Sequence, residues 1–109
     1  MVSKDVQQLI MQAQSYQQQL QMVLSQKEAL NLQLIESGKA LEELAKPGKD
    51  EVYKITGPVL IKVSRDDAEK GIRSKKELSM LRLKTIEKSE TGIKEKLEEL
   101  KDKLAEAGV

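Results

Sequence analysis

Cysteine, histidine, phenylalanine and tryptophan are all missing from this 109-residue chain, and Tyr16 and Tyr53 are its only aromatic residues. Without cysteine there is no disulfide framework and no thiolate ligand; without histidine the commonest metal ligand is gone. Ser–His and Cys–His nucleophile systems are excluded with them. A compact core leans on large aromatic side chains, so a compact single-chain globule is not expected. An excess of charge of one sign is lacking too: the formal net charge is +1. No strong field draws the chain to nucleic acid or to an anionic membrane. No apolar run approaches the length needed to span a bilayer, and there is no signal-peptide apolar region. The absence of cysteine is compatible with a reducing compartment. A soluble, cytoplasmic protein without cofactor or metal is the expectation.

What is present is leucine, glutamate, lysine and glutamine at heptad spacing, with 34% of residues charged. Steps of three and four from Val6 reach Leu9, Ala13, Tyr16, Leu20, Val23, Lys27, Leu30, Leu34, Ser37, Leu41 and Leu44. Ten of these twelve positions are apolar, the pattern of a coiled-coil seam. The spacing predicts a first helix over 6–45, started by Ser3 or Asp5. It stops at Lys46-Pro47-Gly48, because proline cannot continue a helix. Ile10 and Leu24 widen the stripe, and Leu32 and Ile35 lie off it. Met11 and Met22 also lie off it, open to solvent or to a partner. Between Asp5 and Lys27 no residue is charged and glutamine dominates.

A hairpin over 52–64 follows. Val52–Thr56 and Val59–Ser64 read as strands around a Gly57-Pro58 turn. Val59, Ile61 and Val63 share one face; Tyr53 and Ile55 also share a face. A lone hairpin is marginal in water, so Val52, Tyr53, Ile55, Val59, Leu60, Ile61 and Val63 are the candidate assembly residues. They need cover from copies of the chain or from a sister subunit.

Ser64-Arg-Asp-Asp67 resembles a capping box opening a second helix over 66–107. Its seam runs Leu83, Ile86, Glu90, Ile93, Leu97, Leu100, Leu104 and Ala107. Ile72, Leu78 and Leu81 lie off that register and predict a stutter. Gly38, Gly71 and Gly92 each weaken their helix by about 1 kcal/mol relative to alanine. Two helices of matched length around one hairpin predict an antiparallel coiled coil, mainly α, with both chain ends at the tip away from the hairpin. The whole of 1–109 reads as one unit.

No catalytic constellation is found, and no enzyme is expected. Gly-x-x-x-x-Gly-Lys-Ser/Thr and Gly-x-Gly-x-x-Gly do not occur. Glu42/Glu43, Asp66/Asp67 and Glu98/Glu99 stand among lysines and read as solvated faces. Arg73, Lys75 and Lys76 form a small basic cluster without the aromatics of a nucleic-acid footprint.

The stretch Glu51-Val-Tyr-Lys-Ile-Thr-Gly-Pro-Val-Leu-Ile-Lys-Val resembles the prefoldin family, in the β-type subunits found in archaea. Lys39-Ala-Leu-Glu-Glu-Leu, Leu81-Arg-Leu-Lys-Thr-Ile-Glu-Lys and the glutamine-rich first helix share the likeness, which covers nearly the whole chain. The hairpin is its specific part. One hairpin between the helices matches the β-type; α-type subunits have two. Glu90-Thr-Gly-Ile and Gly71 depart from the family pattern and put local helix regularity in question. The resemblance implies a hexamer of two α and four β subunits, whose hairpins assemble into a double β-barrel body. It implies that coiled-coil tips hold unfolded proteins without ATP and pass them to a group II chaperonin. A homo-oligomer of this chain alone is the other assembly.

If the tips fray, Val6, Leu9, Ile10 and Met11 on the first helix and Leu97, Leu100 and Leu104 on the second are the candidate client-binding residues. By the family analogy, Glu98, Glu99, Asp102 and Glu106 are candidates for chaperonin docking. The alternative is a passive coiled-coil scaffold that oligomerises through its hairpin and binds one specific partner.

Overall fold

The computed structural model describes residues 3–48 and 50–108. Its elements are α1 (Lys4–Leu44), β1 (Glu51–Thr56), β2 (Val59–Ser64) and α2 (Arg65–Glu106). The helix starts are built from short polar side chains. Ser3 Oγ accepts the Val6 N–H at 3.2 Å, which decides between Ser3 and Asp5 as the cap. Asp5 instead places its charge in the first turn, where the helix dipole favours an anion. Ser64 Oγ accepts the Asp67 N–H at 3.1 Å, and Asp66 and Asp67 occupy the first turn of α2. At the end of α1 the Ala45 N–H returns to the Leu41 carbonyl. Pro47 and Gly48, at φ 83°, then turn the backbone away.

The hairpin is antiparallel, with Thr56 opposite Val59 and Glu51 opposite Ser64. Gly57 has φ 58°, and proline holds Pro58 near −65°. A positive first residue followed by a negative second is the type II′ turn, whose twist suits a two-residue hairpin loop. Arg65 N–H donates to the Asp50 carbonyl at 3.0 Å, tying together the hairpin's entry and its exit into α2.

The chain divides into two compact units. One joins the start of α1, up to Ala29, with the end of α2 from Lys84. There Lys27 Nζ meets Glu90 Oε1 at 2.9 Å, and Tyr16 lines the same surface cleft as Leu100. As numbers fall along α1 they rise along α2, so the pairing is antiparallel. Val6 and Leu100 are buried in it. The second unit, Leu30–Leu83, holds the hairpin and the helix segments beside it. Leu30 and Leu44 are buried there. Ser79 Oγ donates to Gln33 Oε1 at 3.3 Å across the two helices.

All twelve seam positions of α1 are buried or half-buried. In α2 the seam from Leu83 to Leu104 is likewise covered. Two expectations fail. No stutter occurs: Ile72, Lys76, Ser79 and Leu83 are the covered positions, and their steps of four, three and four continue the downstream register. Leu78 and Leu81 stay outside, exposed. The strong run from Leu83 onward sets the phase of a continuous helix, and a local shift would break its geometry. Polar Ser79 is accepted in the seam because Gln33 satisfies its hydroxyl. Ala107 does not extend the seam either; it is exposed and lies past Glu106, the last residue of α2. Gly71 and Gly92 lie within the continuous helix, and neither has an atom within 4 Å of where a Cβ would stand.

Candidate functional site

The register sorts the hairpin into two faces. Because side chains alternate along a strand, Val52, Lys54, Thr56, Val59, Ile61 and Val63 share one side. Tyr53, Ile55, Leu60 and Lys62 share the other with Glu51 and Ser64. Each side carries an apolar cross-strand pair: Val52 opposite Val63, and Ile55 opposite Leu60. Tyr53 and Ile55 are 67% and 77% exposed, and Leu60, Val59 and Ile61 are exposed too. Val52 and Val63 are half-covered. They overhang a groove of about 460 Å³ walled by Ala40, Leu44, Ala68, Gly71 and Ile72, with Glu43 and Asp67 also on its lining. Only the hairpin's base is thus covered, by the groove that Val52, Val63 and Tyr53 line; Val59 and Ile61 on one face and Ile55 and Leu60 on the other stand open. Lys62 and Glu51 form a 2.7 Å ion pair on the face of Ile55 and Leu60.

The client candidates are distributed differently. Val6 (8% exposed) and Leu100 (5%) are packed into the seam. Leu9, Ile10, Leu97 and Leu104 are half-covered, and only Met11 of the seven is open, at 68% exposure. Nor do Val6 and Leu100 lie at one level. Leu100 shares its cleft with Gln12, Ser15, Tyr16 and Gln19, and Tyr16 lies ten residues along α1 from Val6, about 15 Å of helix. Glu98, Glu99, Asp102 and Glu106 are all exposed. Glu99 meets Lys96 at 3.5 Å.

Charge within this unit is organised around Glu90, which is buried in the seam. Lys94 Nζ reaches its Oε2 at 2.7 Å, while Lys27 takes Oε1. The Lys94 hydrogen bond first, then that of Lys27, holds the Glu90 carboxyl below its ordinary value. The Glu90 hydrogen bond in turn holds the Lys27 ammonium above its own. Lys27, one of two polar residues in the α1 seam, therefore has its partner at a polar position of the α2 seam.

Two features were not read from the sequence. The groove under the hairpin is one; its signal was the small residues Ala40, Ala68 and Gly71 clustered at the helix ends. The exposed Leu78 and Leu81 are the other, hidden by the assumption that apolar residues pull a helix into a stutter. Among the described residues no cluster of acidic groups could hold a metal ion, and no helix is long and apolar enough to cross a membrane.

Comparison with known proteins bears on these surfaces. The prefoldin subunit family matches residues 7–108. The prefoldin subunit beta of Thermococcus kodakarensis is 39% identical over 100 residues, covering 91% of this chain and 86% of that protein. That of Pyrococcus abyssi is 37% identical over 107 residues, covering 97% and 92%. The crystal structure of the prefoldin beta subunit from Thermococcus strain KS-1 superposes with a TM-score of 0.87 at 37% identity. It covers 98% of this chain and 95% of that one. Two long helices joined by a single hairpin, with matches of this extent, place the chain in the prefoldin family, among its beta subunits.

Proposed function

We propose that this protein is a subunit of an ATP-independent holdase, which captures unfolded proteins at its coiled-coil tips and delivers them to a group II chaperonin in the cytoplasm. The observation that carries the reading is the hairpin, apolar on both faces with Ile55 and Leu60 open to solvent. Exposed strand edges and apolar faces call for partners. Closing several hairpins into a barrel covers both. The partners are further copies of this chain and an α-type sister subunit, in an α2β4 hexamer. The glutamine-rich, charge-free stretch between Asp5 and Lys27 supports client holding, because it repels clients of neither sign.

The packing of Val6 and Leu100 into the seam favours a second reading, a passive scaffold whose tips are ordinary coiled coil and which binds one specific partner. Light scattering separates the two. A chemically unfolded test protein is diluted into nucleotide-free buffer with and without the assembled complex, and the assay is repeated with an unrelated test protein. A holdase suppresses scattering of both near stoichiometric amounts. Trimming both tips to the level of Tyr16 and Leu100 abolishes that suppression and leaves the assembly's mass in proportion. Undiminished suppression by the trimmed complex sinks the tip assignment, and suppression of neither test protein leaves the scaffold.

A further inference from the structure

The sulfur of this chain is all thioether, in Met1, Met11, Met22 and Met80. With no cysteine to intercept it, a peroxide that reaches the protein meets these side chains as its readiest target. Of the three in the described chain, Met11 and Met22 are the most open, at 68% and 64% exposure; Met80 on α2 is 47% exposed. Met22 follows Met11 by eleven residues, which is three helical turns and about 20° of rotation. Both therefore stand on one face of α1, about 16 Å apart along its axis. Gln7, Gln14, Ser15, Gln18 and Ser25 complete that face, all exposed and all uncharged. Neither methionine belongs to the seam, so the pairing of the helices does not call for them. A solvated face of glutamine and serine has no packing use for a thioether. Methionine is flexible and polarizable, and it recurs where one surface meets many sequences.

We propose that Met11 and Met22 are paired oxidation sites on a client-contact face of α1, and that peroxide weakens client holding there reversibly, without unfolding the chain. The proposal rests on the reading of the chain as a holdase subunit. Hydrogen peroxide gives one oxygen to each thioether: an S–O bond forms, the O–O bond breaks, the sulfur loses two electrons and the other oxygen leaves as water. A methionine sulfoxide reductase with a dithiol reverses the step, releasing water and a disulfide; one reductase serves each sulfoxide epimer. The sulfoxide is polar and holds water that an apolar client segment must displace, so each oxidised side chain loses its apolar contact. The seam and the hairpin contain neither residue, so helix pairing and assembly stay as they were.

The test oxidises the full chain with hydrogen peroxide before it is assembled, and mass spectrometry follows the added oxygen at each methionine. Light scattering then compares treated with untreated protein. The oxidised complex is expected to need at least about threefold more protein for the same suppression, as two apolar contacts are lost. Treatment with both reductases restores the untreated value. Met11→Leu with Met22→Leu replaces the thioethers by side chains that peroxide does not attack; whatever its own level of suppression, that level is expected to be the same before and after peroxide. Met80→Leu, on the other unit, is expected to remain as sensitive as the parent. Suppression unchanged with Met11 and Met22 fully oxidised overturns the proposal. So does an equal loss in the Met11→Leu, Met22→Leu protein, since the effect then lies at Met1 or Met80. A fall in helix content or in the mass of the assembly on oxidation overturns it as well, because the damage is then structural. If the untreated complex suppresses nothing, the holdase reading itself falls; if it suppresses both test proteins and only the response to peroxide is missing, that reading stands and this one falls.

Discussion

Glu90 stands where a coiled-coil seam ordinarily places leucine, and it is held there by Lys27 from the facing helix and Lys94 from its own. A polar pair inside a seam costs stability relative to an apolar one but fixes register, because any slip strands a charge against leucine. Its pH dependence follows from the two shifts. A carboxyl whose value is lowered from 4.5 contributes above that value, and the contribution is lost as pH falls through the lowered one. A lysine raised from 10.5 contributes below that value and loses its share as pH rises through the raised one. Across the neutral range the pair is therefore fully in force. Glu90→Gln is expected to lower the thermal midpoint at neutral pH, and the two proteins should converge as the pH falls below 4.5 and through the lowered carboxyl value. Circular dichroism melts across that range measure it. Equal midpoints at neutral pH would show that the pair contributes nothing.

At the scale of the element, the hairpin and the helices are separable. Within each unit the helices are held by covered seam positions, whereas Ile55 and Leu60 on the outer hairpin face are exposed. Leu60→Glu puts a carboxylate on that face, directly opposite Ile55. It is expected to leave helix content unchanged and to raise the dissociation constant of the assembly at least about tenfold, the effect of losing a buried apolar anchor. Gel filtration beside circular dichroism reads both, and an unchanged elution volume would remove the open face from the interface. The α1 seam was legible in the sequence because its apolar residues recur at steps of three and four with only Lys27 and Ser37 intervening. The first turns of the α2 seam were not, because Lys76 and Ser79 occupy it while Leu78 and Leu81 lie outside. Burial there follows helical phase set from downstream, which local hydropathy does not reveal. The hairpin's strands and turn were legible from alternation and Gly57-Pro58. Its two-faced character needed the register, because only pairing shows that Ile55 and Leu60 lie on the same side. For the tip, composition suggested a sticky end, but it did not show that Val6 and Leu100 pack inward and lie at different levels.

At the scale of the whole molecule, the described chain has no fully buried large side chain. Its buried apolar residues are Val6, Leu30, Leu44 and Leu100. A fold with so little interior draws its stability from association, so its thermal midpoint should rise with protein concentration by mass action. Melts over a hundredfold range of concentration test this; a midpoint independent of concentration would mean that each chain is stable alone. The same open hairpin has a consequence for the cell. Tyr53, Ile55 and Leu60, displayed together on a strand pair, are what quality-control proteases and other chaperones read as damage. If assembly covers that surface, as proposed above, a copy made in excess of its partners should be degraded faster than an assembled one, which a pulse-chase with and without the partners would measure.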